Sequence, residues 1–495
     1  MPHANNSFTN RARLAGKISR SARRVASKLG IIPGEQADRV KKVRCGKLDR
    51  YDSYYESIQY DHLSDWDESV SCDDYVAIRK RKPRIIYNFA KILAHRVTSK
   101  LVGDNVFPSF KVKDDPDTEE YLRFVLKASK LQHRILDPVK HMCVSGSSLV
   151  RFYVEAGVIK VEHYNAKHVY PEFQPNGELL KARIQYVYAD VNDLDEKGKP
   201  REKWYKLELG MFVDTLYDNP EYQPNVDPIF SVEESVPHNL GFVQAEWLRT
   251  AETLHSPDGP SLIMDILDFI DELNYSLSQS SQSVGYNQDP QLTINKMDEE
   301  EVGALIRSST KAWNMGREGK AEFIESGMNG VQAAMDFRDK IRLNVQDVAR
   351  IVLLDPEKMV DHAQSGKAME VLHGPLVELV NELRPMMEDR LTKLLQKMAI
   401  TLLILNQQGL PVPVVIPPGY RPKSLSLSTM WPPIFPQTMQ DLQLKVNIAS
   451  SVSGANLVSR ETMTGWLASD FDIEDMEEEQ RRIEAQPVIN PFGAF

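Results

Sequence analysis

Glycine stands beside lysine in Gly316-Arg-Glu-Gly-Lys320 and again in Gly366-Lys367, and that pairing is what cradles phosphates in nucleotide-binding loops. Neither completes GxxxxGK followed by Ser or Thr, so no phosphate loop is read here. Ser147 and Ser148 follow Gly146 without the GxSxG of a nucleophile elbow, at a predicted strand entry. His163 and His168 have neither the spacing nor the carboxylate company of a zinc site. Asp265 and Asp268 are the candidate pair of acids, yet one solvated helix face accounts for both. The residues predict no enzyme, no metal and no cofactor. What remains is charge displayed on helices and loops, which serves contact rather than reaction.

The elements that display it lie between Asp258 and Glu370. A first helix is predicted to open at Asp258-Gly-Pro260, an acidic cap with an early proline. Leu262, Ile266, Phe269, Ile270, Leu273 and Leu277 fall on its apolar face, and Asp265, Asp268, Glu272 and Gln279 on the other. It should dissolve in the serine and glutamine run 278–283. An insert follows, with turns at Gly285 and Asp289-Pro290, an extended piece from Gln291 to Ile294 and an acidic helical segment from Asp298 to Arg307. A Gly-punctuated pair of strands at Ala312 to Met315 and Lys320 to Ile324 completes it. A second helix spans Asn329 to Val352, with Phe337, Ile341, Val345, Val348 and Val352 on one stripe. Two helices returning to one level with a small module at their tip make a stalk.

Pro356 breaks the second helix and opens a loop, Leu353 to Gln364, holding Asp355, Glu357, Lys358, Asp361 and His362. From Ser365 a helical stretch reaches about Gln408, about 65 Å if continuous, with Gly374-Pro375 and Pro385 predicting a kink or break. That order of parts resembles the portal proteins of tailed phages. Asn88-Phe-Ala-Lys-Ile92 leading to Leu101-Val-Gly103 is similar to the family's early helix ending at Leu-x-Gly. Ser145 to Tyr188 is similar to its strand, turn and strand sequence. His238-Asn-Leu-Gly241, Gly259-Pro-Ser261, Phe269-Ile-Asp-Glu-Leu-Asn274 and later Leu457-Val-Ser-Arg-Glu-Thr462 follow in the family's order. The match covers most of the chain, and its specificity lies in the ordered series.

The resemblance implies a mainly helical α+β fold: a basic arm 1–34, an α/β wing 35–258, a stem helix 259–283, a clip 284–327, a second stem helix 328–352, a channel loop 353–370, a long kinked helix 371–410 and a crown with tail 411–495. It implies a homo-oligomeric ring of about twelve subunits at one capsid vertex of the virion, assembled in the host bacterial cytoplasm. Double-stranded DNA would pass through it without sequence specificity, during packaging and again during ejection. Implied partners are the major capsid protein, the terminase large subunit, the head-tail adaptor or neck proteins and a scaffold. Under the resemblance Asp265, Asp268 and Glu272 would line the channel and keep phosphate contact weak, or face the next subunit. Lys358 would supply a sparse ring of phosphate contacts, or pair with Asp355, Glu357 or Asp361. Arg307, Lys311, Trp313 and Arg317 would meet a partner at the clip, or Trp313 would hold adjacent clips together. Competing readings are another virion component, such as a minor head protein or adaptor, and more distantly a host DNA-binding or hydrolytic enzyme.

The rest of the chain fits this frame. Its 495 residues suffice for two or three cores, and 26% charged with 42% hydrophobic is an ordinary globular balance. Cys45, Cys72 and Cys143 are widely separated, which suits neither a disulfide framework nor a metal site. The longest apolar run, Met398 to Leu405, is far below the roughly 20 residues that cross a bilayer, so no membrane partner is expected. The net charge of −10 hides a basic start, with Arg11, Arg13, Lys17, Arg20, Arg23, Arg24 and Lys28. That arm suits nucleic acid, an acidic partner surface, a solubilising tail or, by composition, a transit peptide. Tyr51, Tyr54, Tyr55 and Tyr60 are read as packing rather than base stacking. Two helices are expected over 118–146, turns at Glu155-Ala-Gly157 and Pro175-Asn-Gly177, a charged loop from Asp190 to Arg201, a helix from Gln437 to Ser451 and an acidic helix from Asp470 to Glu479.

Overall fold

The computed structural model describes residues 33–66, 77–112, 115–224, 226–253, 256–288, 291–295, 320–324, 328–352, 370–417, 427–435 and 439–454, with the single positions 462, 465, 481 and 482. Helix α1 (Pro33–Glu56) turns Leu48, Tyr51, Tyr54 and Tyr55 inward, because residues three and four apart share a face. All four are buried, and Tyr60 joins them just beyond the helix. Helix α2 (Phe89–Leu101) starts where the Asn88 side chain accepts from the Lys91 N–H, and it buries Leu93, Ala94, Val97 and Leu101.

Three helical pieces occupy the stretch where two were expected. Asp115 caps α3 (Pro116–Ser129), and Lys130, in the left-handed region at φ 52°, closes it. A single turn, Leu131–Arg134, then leads into α4 (Leu136–Ser145). Gly146 ends α4 at φ 84° and admits no side chain, since a Cβ there would overlap the Gly259 carbonyl. This close approach ties the α4 end to the Asp258-Gly259-Pro260 loop.

Two antiparallel sheets follow. In the first, β2 (Ser147–Glu155) lies between β3 (Val158–Asn165) and β9 (Ala245–Arg249), whose five residues are all buried. Ala156 at φ 49° and Gly157 at φ 76° supply the two positive dihedrals of the tight turn the sequence predicts. The second sheet runs β4 (Val169–Phe173), β5 (Leu179–Leu194), β6 (Pro200–Leu209), β7 (Val213–Tyr217), β8 (Val232–Pro237) in chain order. The charged loop expected from Asp190 to Arg201 is mostly ladder. Lys203 bridges Asp190 at 2.9 Å and Asp193 at 2.8 Å across the strands, leaving 195–199 as the turn, where Asp195 Oδ1 accepts from the Lys197 and Lys199 N–H groups.

The longest helix, α7 (Gly374–Gln407), roofs the core. It buries Leu383, Met387, Leu391, Leu394, Leu395, Met398 and Leu402 against α2, α3 and β9. It starts at Gly374-Pro375, directly after a break at His373 that separates it from helical residues 370–372, which is where the sequence predicts a kink or break; proline suits the first helical turn. Pro385 lies inside and the helix continues through it. A short ladder joins β1 (Ser109–Val112) to β12 (Leu427–Met430), and α8 (Met439–Gly454) matches the helix expected there. The whole is a mixed α+β protein.

Candidate functional site

Helices α5 (Leu267–Gln288) and α6 (Met328–Val348) pack side by side, and β10 (Gln291–Asn295) pairs antiparallel with β11 (Lys320–Ile324) at their far end. Leu267, Ile270 and Leu273 bury against α6, which answers with Ile341 and Val345, joined by Ala349 just beyond its end. The first helix begins later than Asp258. A short 3-10 turn at Met264–Ile266 leads into it, because Asp258 is occupied elsewhere. It also continues through the Ser/Gln run to Gln288 instead of dissolving at 278, since Asn274, Ser276, Ser278 and Ser280 are buried. Lys320–Ile324 pairs with Gln291–Asn295, which the two helices bring to the same level, while the other expected strand, Ala312 to Met315, lies outside the described residues. On α6 only Ile341 and Val345 of the predicted stripe are buried, while Phe337 and Val348 are exposed.

The polar side of α5 is clothed by the N-terminal part of the chain. Asp271 accepts from Tyr54 Oη at 2.6 Å and from Tyr60 Oη at 2.5 Å. Burial and these bonds to a carboxylate push both phenols well above their usual range. Asn274, fully buried, donates to Tyr60 Oη at 3.2 Å and accepts the Tyr87 N–H at 2.7 Å. Ser278 accepts the Ile85 N–H at 3.0 Å, and Tyr275 Oη donates to the Arg79 and Arg81 carbonyls. Sequence reasoning passed over Asp271, Asn274 and Ser278. Their three- and four-residue spacing, set beside an upstream tyrosine cluster, was the available signal.

The predicted acidic face is therefore divided. Glu272 pairs with Arg79 at 2.5 Å, and Asp268, with its side chain 95% exposed, meets Arg50 at 3.4 Å. Asp265 is exposed and forms no ion pair among the described residues. Channel-loop candidates Asp355, Glu357, Lys358, Asp361 and His362 lie outside the described residues. So do Arg307, Lys311, Trp313 and Arg317, the arm residues Arg11, Arg13, Lys17, Arg20, Arg23, Arg24 and Lys28, and the acidic segment Asp470 to Glu479.

Asp258 is the centre of a second buried node. The Arg44 guanidinium grips it with Nε at 2.6 Å and Nη2 at 2.8 Å, and also donates to the Ala166 and Val169 carbonyls. Ser147 Oγ donates to Asp258 at 2.6 Å. A third node sits under α7, where buried Glu246 holds Lys397 at 2.6 Å and Arg390 at 3.6 Å. His141 stacks on His163 at 5.5 Å between α4 and β3, and burial lowers the pKa of each. These nodes join elements distant in sequence. No group of three or more metal-ligating side chains occurs among the described residues, and none of their helices is long and apolar enough to cross a membrane.

Residues 38–486 match the family described as phage portal protein, SPP1 Gp6-like. That span is most of the chain, and the chain belongs to this family, which is one of structural proteins. No curated protein matches it. Among solved structures it is similar to a chain of the virion of a native gene transfer agent particle, at 9% identity and a TM-score of 0.39, covering 77% of this chain and 88% of that one.

Proposed function

We propose that this protein is the subunit of a portal ring at a single capsid vertex, serving as the passage for double-stranded DNA into and out of a phage head. Family membership over residues 38–486 carries the reading. A helical pair with a strand module at its end supports it. In this reading α5 and α6 are the stem, residues 284–327 the clip, 353–370 the channel loop and 35–258 the wing. About twelve subunits close the ring. The clip docks the terminase large subunit during packaging and the head-tail adaptor afterwards, while the body meets the major capsid protein and scaffold.

Glu272 and, more loosely, Asp268 already have a cation beside them, so Asp265 is the stem acid left to repel phosphate, and Lys358 is the sparse counter-contact that keeps DNA from drifting. The test is negative-stain electron microscopy of the purified protein beside its mass in solution, alone and coexpressed with scaffold and shell proteins. Rings of about a dozen subunits with an axial hole wide enough for duplex are expected. Monomers under both conditions would sink the reading.

A further inference from the structure

The two flanks of the α5 and α6 pair are unlike each other. On one flank a cavity of about 300 Å³ opens between the helices, lined by Tyr87, Leu273, Leu277, Arg338, Asp339 and Arg342. Its floor is apolar, and the buried Arg342 Nε has no hydrogen-bond partner. On the other flank Phe337 projects with 53% of its surface exposed. At about 100° per residue, Phe337 lies roughly 100–140° around α6 from Arg338 and Arg342, across the stripe of Ile341 and Val345 that faces α5. It stands at nearly the same height, about 1.5 Å of rise from Arg338.

We infer that Phe337 of one subunit inserts into the cavity between α5 and α6 of the next. A knob and a hole at one height but on different flanks of the same element make a head-to-tail contact, the kind that repeats around a closed ring. A cavity of about 150 Å³ already accommodates benzene, so a phenyl ring fits this one with room for its backbone to approach. The Arg342 guanidinium, whose buried Nε has no hydrogen-bond partner, meets the face of the inserted ring, a cation–aromatic contact strengthened by loss of water. Asp339 and Arg338, bonded to each other at 2.8 Å, form the polar rim. This inference rests on the ring proposed above.

The test has two arms. Phe337→Ala, at an exposed site, should leave the thermal unfolding of the subunit unchanged while lowering the fraction of protein in rings at least tenfold at a concentration where the unaltered chain assembles. A benzophenone amino acid at position 337, irradiated in assembled rings, should give a ladder of covalent multimers on a denaturing gel, with the crosslinked peptides carrying Leu273 to Leu277 or Arg338 to Arg342. Undiminished rings with Phe337→Ala, or crosslinks that map elsewhere, overturn the insertion and leave the ring standing. Failure of the unaltered chain to form rings at all removes the ring and the insertion together.

Discussion

At the scale of single residues, the buried polar nodes dominate the expected response to substitution. Asp258→Ala leaves the Arg44 guanidinium at 13% side-chain exposure without its carboxylate and strips Ser147 of its acceptor. Breaking a buried ion pair by removing one partner costs about 3–5 kcal/mol, so denaturant unfolding of this variant should show a loss of that order with an unchanged m-value. A surface change such as Asp265→Asn should move it by less than about 0.5 kcal/mol. His168 gives the matching pH prediction. Burial, reinforced by Lys167 and opposed by Asp52, lowers its pKa to about 4. The unfolded chain takes that proton first, near pH 6.5, so the stability contributed by neutral His168 is complete above that value. It is lost as the pH falls toward 4 and is level below. Buried His141 and His163, also lowered, act in the same direction. The denaturation midpoint should fall between pH 7 and pH 5, and His168→Asn should shrink that fall.

At the scale of elements, junctions are more sensitive than interiors. Gly146→Ala puts a methyl group against the Gly259 carbonyl in a backbone conformation that side chains avoid. It should destabilise the protein by more than about 1 kcal/mol, read as a lowered melting temperature, whereas Gly177→Ala, with open space around it, should pay only the backbone term. Turn and packing signals of short range were legible beforehand: the Gly157 and Gly177 turns and the inward tyrosines all stand where the sequence put them. The misreadings share a cause. Asp258 has the form of a helix cap, but a residue 214 positions earlier claims its carboxylate. The Ser/Gln run from 278 looked like a helix end, but burial of Ser278 and Ser280 against distant chain carries the helix on to Gln288. Spacing along the chain records what a residue can do locally, and long-range contacts then choose among the options.

At the scale of the whole molecule, the family was legible because it is written in the order of many weak segments rather than in one strong motif, and the match over residues 38–486 has that same breadth. The candidate site was less legible. Acids that look alike on a helical wheel separate into exposed Asp268, paired Glu272 and buried-network Asp271 only once residues 50–88 are laid over α5. That covering also sets a schedule. Tyr54 and Asp271 are 217 positions apart, so at roughly 5–20 residues per second the ribosome delivers α1 about ten to forty seconds before the helix it is to clothe. During that interval the Asp271 side of the tyrosine cluster has no carboxylate to satisfy it. The step that completes the subunit is then late and long-range, so the pace of folding is governed by the return of α5 to a surface made at the start of synthesis.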